Sequence, residues 1–491
     1  MPALLGVLSL ALGQCAFADD AATSAAAPKP ESSSAIGTFI RAYADGSQAM
    51  PDTPWPYTGD GGSGGDAPEL RKFPAPQNSP PFPYGEYQMG GTPTIGDRNN
   101  APVYPLMKAL SESTDFWKDS RTQISGWVEI GGNMSTSQRQ PGNRYTNAPA
   151  AYDQIPNSIQ LHQADLRVTR LPDTYQTDHI DFGFRFDLLY GMDYRFTTMK
   201  GFWSNQLLSK NQQYGFDIPM AYVDTYIPGV AEGMNIRVGR FISLPDIEAQ
   251  LAPDNYMFSH SLLYAYDPYT QIGVVDSIKL SKNWTVQFGL TGGNDTMPGT
   301  QGSKLSPLVC AQWINNANSD SIYGCANTIN GANYAYNNVN QWVATWSHRF
   351  SQTLNNAIEA WYMKENNVPV CTGQVGSDGP ATPNGCLNSA FFTDPSKRFK
   401  TSEIAVVDYL NWQFSSKDSV SFRLEYMDDR QGQRTGTPAR YWGEAVSWTH
   451  FFNQSLIFRP EINRYTASSP AFNGGTKRVQ TMVAADLIVR F

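Results

Sequence analysis

The chain ends Val479-Gln480-Thr481-Met482-Val483-Ala484-Ala485-Asp486-Leu487-Ile488-Val489-Arg490-Phe491, and these residues decide how the rest is read. Successive side chains of a β-strand point to opposite faces. The odd positions carry Val479, Thr481, Val483, Ala485, Leu487, Val489 and Phe491. Gln480, Asp486 and Arg490 all fall on the even positions. One face is therefore apolar and the other holds the polar groups. An edge strand of a soluble sheet and a wall strand of a membrane barrel both fit this pattern.

The same alternation recurs upstream. Ile180, Phe182, Phe184, Phe186, Leu188 and Tyr190 oppose Asp181, Gly183, Arg185 and Asp187. Val420, Phe422, Leu424 and Tyr426 oppose Ser421, Arg423 and Glu425. Strands are predicted near 126–134, 159–169, 179–190, 217–227, 233–242, 271–280, 283–292, 340–350, 353–363, 402–414, 418–428, 440–451, 454–465 and 478–491. Periodicity alone does not say whether the apolar faces point to a core or to lipid.

The connections between strands separate the two cases. Long stretches at 135–158, 191–216, 243–270, 293–339 and 364–401 alternate with short ones at 170–178, 228–232, 281–282, 351–352, 415–417 and 452–453. Outer-membrane barrels produce this rhythm, with short periplasmic turns and long outer loops. A sandwich has no reason to alternate so regularly. The expected fold is all-β: a closed transmembrane antiparallel barrel of about 14 strands, with 12 or 16 as alternatives. Closure also removes sheet edges and satisfies the backbone in lipid. A terminal amphipathic strand ending in an aromatic residue resembles the C-terminal signal that the barrel assembly machinery reads, which makes Phe491 the candidate assembly signal.

Composition agrees with this reading. Mean hydropathy is -0.41, and no internal apolar run is long enough for a transmembrane helix. Aromatic residues reach 13%, which fits girdles at two membrane interfaces and also fits a carbohydrate-binding sandwich. The net charge of -8, with no basic cluster, excludes a nucleic-acid binder. Ala3–Leu12 followed by Ala16-Phe17-Ala18 reads as the apolar region and cleavage site of a signal peptide over 1–18, although a positive leader is missing. Residues 19–121 are rich in Pro, Gly, Ser and Ala and are expected to be largely disordered, with a short helix over Leu106–Arg121 that sits in the periplasm or plugs the barrel. The barrel itself is expected over 122–491. In an oxidising compartment the spacing of Cys310, Cys325, Cys371 and Cys386 favours two local disulfides in outer loops, Cys310–Cys325 and Cys371–Cys386. A metal site at these cysteines lacks the short spacing and the nearby histidines that zinc requires, so no metal and no cofactor are expected.

Several runs carry a family resemblance. Asp181-Phe182-Gly183-Phe184-Arg185-Phe186-Asp187-Leu188-Leu189-Tyr190-Gly191-Met192-Asp193 resembles the third-strand region of the OmpL-like β-barrel porin family. Gly239-Arg240-Phe241, Ala252-Pro253-Asp254-Asn255, Ser259-His260-Ser261 and Pro268-Tyr269-Thr270-Gln271-Ile272-Gly273 resemble its next signature. The likeness spans Ile124 to Phe491. Many members carry His where Gln271 stands, so no role of that His transfers. The resemblance implies a bacterial outer-membrane porin of undefined substrate and supplies no catalytic residues.

Candidate functional residues follow from the polar strand faces. Glu129, Asp165, Arg167, Asp181, Arg185, Asp187, Arg237, Arg423, Glu425, Arg459, Glu461, Asp486 and Arg490 are expected to face the lumen, where mixed charges bias which ions enter or simply pair to hold the wall. The long segment Ile242–Thr270 holds Asp246, Glu248 and Asp254 and many aromatics. It is expected either to fold inward as a constriction, its acids facing Arg185, Arg237 and Arg423, or to pack on the outer rim. Ser259-His260 invites a hydrolase reading, but adjacency does not make side chains converge, and no Gly-x-Ser-x-Gly elbow surrounds them. The Asn294-Asp295 tip suits a divalent cation or an ordinary turn.

Three function classes result. A porin passing small hydrophilic solutes or ions comes first, a structural or adhesive barrel without an open channel second, and a barrel hydrolase third. Expected partners are outer-membrane lipid, the assembly machinery and small solutes, with no nucleic acid and with a homo-oligomer left open. The acidic balance favours mild cation preference. If Phe491 directs assembly, Phe491→Ser lowers the amount of folded barrel in the outer membrane, measured by heat-modifiable migration on gels. Unchanged assembly contradicts that role.

Overall fold

In the computed structural model, residues 104–491 are described except 151, 211–212, 243, 245, 269, 301–302, 318, 332–338, 352, 372–391, 416, 433 and 454, together with Gly37, Ile40 and Ile95. The described strands are β1 (Gln123–Ser135), β2 (Ser158–Arg170), β3 (Asp181–Gly191), β4 (Gly215–Ile227), β5 (Met234–Ile242), β6 (Thr270–Lys279), β7 (Trp284–Thr291) and β8 (Ser306–Ile314). They continue with β9 (Asp320–Thr328), β10 (Asn340–Arg349), β11 (Leu354–Cys371), β12 (Phe392–Gln413), β13 (Asp418–Asp429), β14 (Ala439–Asn453), β15 (Leu456–Ala467) and β16 (Val479–Arg490). Each strand pairs with its sequence neighbours, and β1 pairs with β16 to close one antiparallel barrel.

Burial shows which way the faces point. Leu424 is 61% exposed, while its neighbours Arg423 and Glu425 are 1% and 7% exposed. Phe182, Phe186, Phe288, Ile462 and Val483 are likewise exposed, and Asp187, Gln287, Glu461 and Asp486 are buried. Apolar groups lie outside and polar groups inside, the reverse of a soluble sandwich and the arrangement lipid requires.

The barrel has sixteen strands among the described residues, not about fourteen. The missing pair, β8 and β9, lies within 293–339, which the sequence pattern presented as one outer loop. In β8 both faces carry apolar side chains: Leu308 and Cys310 are buried, and Val309 is exposed. Pro307 further weakens the strand signal. In β9, Gly324, Ala326 and Asn327 supply little contrast between faces.

Cys310 and Cys325 form a disulfide, but not in an outer loop. They stand opposite each other on β8 and β9, with Cα atoms 4.1 Å apart, so the bond staples the wall. Their loop-like surroundings in sequence come from the weak strands, not from a loop. Cys371 ends β11, and the expected Cys371–Cys386 pairing lies outside the described residues.

The helix expected over Leu106–Arg121 is two shorter ones, Pro105–Ser113 and Phe116–Asp119. Thr114 is extended and ends the first. Tyr104 accepts a hydrogen bond from Arg490, and Met107 lies against the Ile124 amide, so this segment packs on the lower ends of β16 and β1.

The closing seam depends on a glycine. Phe491 exchanges both backbone hydrogen bonds with Gly126, at 2.9 and 3.1 Å. A Cβ on Gly126 would stand 2.3 Å from the Asp165 carbonyl oxygen and 2.6 Å from the Phe491 ring. Gly126→Val should cost about 1–3 kcal/mol, the usual penalty of overpacking, and lower the temperature at which the folded band disappears on gels. Gly229→Ala, with open space around it, should leave that temperature unchanged.

Candidate constriction site

The segment between β5 and β6 enters the barrel. In bacterial barrels with short periplasmic turns, this connection starts on the outer side. It is the third such connection, after those following β1 and β3. Leu244, Ile247, Leu251, Met257, Leu262 and Leu263 are all buried, and so are Asp246, Glu248, Asp254 and Asp267. A segment of this mixed polarity suits neither lipid nor full solvation, so the inner wall is the surface that matches it. The wall makes room for it at Gly131, where a Cβ would lie 2.5 Å from the Phe258 ring.

Side chains of the wall satisfy the loop backbone. Ile247 donates to Glu359 at 2.7 Å, Ala252 to Gln163 at 3.0 Å, Ser259 to Glu461 at 3.0 Å and Leu262 to Glu425 at 2.5 Å. The loop carbonyls find donors as well. Arg459 reaches the Ala252 and Asn255 oxygens at 2.8 and 2.9 Å, Arg423 reaches Ser259 at 2.9 Å, and Trp361 reaches Leu263 at 3.2 Å. The anchors therefore come from β2, β11, β13 and β15. Tyr256 stacks on Tyr409 of β12 at 4.8 Å. His260 stacks on Tyr152 of the first outer connection at 3.9 Å. A short helix, Leu262–Ala265, is capped by the Ser261 hydroxyl, which accepts from the Tyr264 amide at 3.0 Å.

The other candidate residues divide by location. Asp181 stands at the lower end of β3, where it accepts from Arg121 at 2.6 Å, from Arg170 at 2.9 Å and from the Asp173 amide at 2.7 Å. It holds a turn and is not part of the constriction. Arg185 pairs with Asp187 at 2.6 Å, and Arg237 pairs with Asp224 at 2.9 Å, so neither faces an acidic loop residue as expected. Each is matched by a carboxylate on its own or the neighbouring strand. Arg167 lies between Asp187, at 3.3 Å, and Asp254, at 4.0 Å, and thus brings the loop to β2. Asp165 is buried beside it on the same face. Arg423 meets the loop at Ser259 while pairing with Glu425 at 3.2 Å. Arg459 pairs with Asp486 at 2.5 Å and lies 3.6 Å from Glu129. Ser259 and His260 point to different partners: the hydroxyl accepts from Arg423, and His260 Nε2 bonds the Ala249 carbonyl.

Sequence reasoning missed Gln163, Glu359, Asp267 and Arg434. Glu359 shares its strand face with Ala357, Trp361 and Met363, so the face did not read as polar. A bulge in the β1–β2 pairing buries both His162 and Gln163 and breaks the alternation. Arg434, in the connection after β13, binds the Tyr266 carbonyl at 2.5 Å and Glu365 at 3.4 Å.

Burial dominates the loop electrostatics. It lowers the His260 pKa to about 3, so the ring stays neutral. It raises Glu248 to about 7 and Asp246 to about 6. In the first outer connection, burial raises Asp153 to about 7. A carboxyl with a raised pKa holds its proton in the docked state and gives it up when released. Its contribution to docking is therefore present at low pH and is lost as pH rises through its docked value. Raising pH from about 5 to about 8 should loosen the loop, seen as a fall in hydrogen-exchange protection over 246–263 relative to β5 and β6 at the same pH. Relative protection that rises over this range contradicts the assignment.

No curated protein matches the chain in sequence. The outer membrane channel DcaP of Acinetobacter baumannii is similar in structure, with 11% identity and a TM-score of 0.48, covering 75% of this chain and 97% of that one. An anion-selective porin from Comamonas acidovorans gives 9% identity and a TM-score of 0.47 over 75% and 99% of the two chains. The family model described as "Putative beta-barrel porin-2, OmpL-like" matches residues 121–491. The chain belongs to this OmpL-like β-barrel porin family and is a protein of the bacterial outer membrane.

Proposed function

We propose that the protein is a passive channel for small hydrophilic solutes, narrowed where the inward segment between β5 and β6 meets the wall. The observation that carries this reading is the anchoring of one loop to four wall strands by its own backbone amides and carbonyls. Such a loop divides the lumen cross-section and fixes where it is narrowest. Asp246, Glu248, Asp254 and Asp267 on the loop, with Glu359, Glu425 and Glu461 on the wall, outnumber Arg167, Arg423, Arg434 and Arg459 in the narrow zone. An acidic balance of this kind favours cations. In this reading residues 1–18 are a removed leader, 19–121 an extension on the periplasmic side, and Phe491 the residue that the assembly machinery recognises.

A second reading has a specific observation in its favour. The loop and the wall charges around it are almost wholly buried, as in a barrel whose lumen is closed. A structural barrel without an open channel matches that packing.

Conductance separates the two. Purified folded protein in a planar bilayer should give discrete, cation-preferring steps, and removing 246–256 should enlarge them. Properly folded protein without conductance contradicts the channel. Steps unaffected by the deletion place the constriction elsewhere.

A further inference from the structure

Asp246, Asp267 and Glu359 each place a carboxylate oxygen within 4.8 Å of the others, and all three residues are buried. The first two lie near the two feet of the inward loop, which leaves β5 at Ile242 and joins β6 at Thr270. Glu359 stands on β11, across from them. One Glu359 oxygen accepts from the Ile247 amide, and one Asp267 oxygen accepts from the Gln341 side chain. The second oxygen of Glu359, Oε1, has no hydrogen-bond donor among the described residues, and Asp267 shares a side-chain hydrogen bond with Asp246.

This arrangement differs from the arginine-paired carboxylates of the interior. Asp187 meets Arg167 and Arg185, Asp217 meets Arg240, Asp224 meets Arg237, and Asp486 meets Arg459. Asp267 and Glu359 take part in no ion pair among the described residues. The Arg434 guanidinium, whose field reaches Asp267, is bound to Glu365 and to the Tyr266 carbonyl. Buried carboxylates at this separation cannot all be ionised without a compensating charge. Oxygen donors alone, with neither imidazole nor thiolate, match a hard divalent cation of the calcium class, which accepts irregular oxygen shells.

We propose that Asp246, Asp267 and Glu359 bind one hard divalent cation, which ties both feet of the inward loop to β11. The ion supplies the charge that several other buried carboxylates obtain from arginine, it takes the place of the proton shared by Asp246 and Asp267, and it satisfies the orphaned Glu359 oxygen. The site stands whether or not the barrel conducts, because its readout is binding and not current.

The test uses the folded full chain in detergent, stripped with chelator and titrated with Ca2+ by calorimetry at about pH 7.5, where exposed carboxylates are ionised. The expected result is saturable binding at one site. Glu359→Gln and Asp267→Asn should each weaken it by about ten-fold or more, because affinity for such ions follows ligand charge. Asp181→Asn, at the lower rim, should bind as the unaltered protein does. Absence of saturable binding in the folded protein overturns the proposal, and so does binding that both substitutions leave unchanged. If the variants do not assemble, hydrogen exchange over 246–267 of the unaltered protein decides the matter. Slower exchange with Ca2+ than with chelator supports the site, and identical exchange overturns it.

Discussion

A chain segment carried into a barrel loses water from its backbone groups, and each one left unsatisfied there costs about 1–3 kcal/mol. The rest of this interior is arranged around that constraint. The inward segment has little secondary structure of its own beyond a short 3-10 turn and the Leu262–Ala265 helix. Its amides are instead taken by Glu359, Gln163, Glu461 and Glu425, and its carbonyls by Arg459, Arg423, Trp361 and Arg434. The charged side chains of the wall are therefore engaged by the loop backbone as much as by one another.

This engagement divides the wall. On β3 to β5, arginines and aspartates satisfy each other: Arg185 with Asp187, and Arg237 with Asp224. On β11, β13 and β15 the charged groups reach inward to the loop, and several carboxylates use backbone amides in place of a second arginine. The loop thus docks where the wall charges also serve its backbone, Arg423 and Arg459 doing so while keeping their pairs with Glu425 and Asp486. Acidic groups gather where loop and wall meet, at Asp246, Asp267 and Glu359, and the proposed cation preference and the proposed ion site both rest on them.

Much of the fold was legible in the sequence because lipid enforces the alternation. Where one face must be apolar and the other polar, as in β3, β13 and β16, strands were read close to their observed limits. The reading failed where the alternation loses contrast. In β8 and β9, Cys310 and Leu308 put apolar groups inside, Pro307 interrupts, and the pair vanished into a loop. The mixture of acids and aromatics in Ile242–Thr270 left two courses open, inward or on the outer rim, and the burial of the segment decides between them. Its partners were not legible. Which wall group meets which amide depends on the shear of the closed barrel and on the bulge near Gln163, and neither leaves a local trace in sequence. The expected pairing with Arg185 and Arg237 went wrong for that reason: nearby aspartates, at positions fixed only by strand register, claim both.

The central claim is that the loop lies inside the barrel, held by its own amides. Hydrogen exchange of the folded protein, read at the amides of Ile247, Ala252, Ser259 and Leu262 near neutral pH, tests it most directly. The account predicts protection comparable to that of the neighbouring strands β5 and β6 and far above that of the exposed turn at Asp178. Exchange at those four amides as fast as in that turn would contradict it.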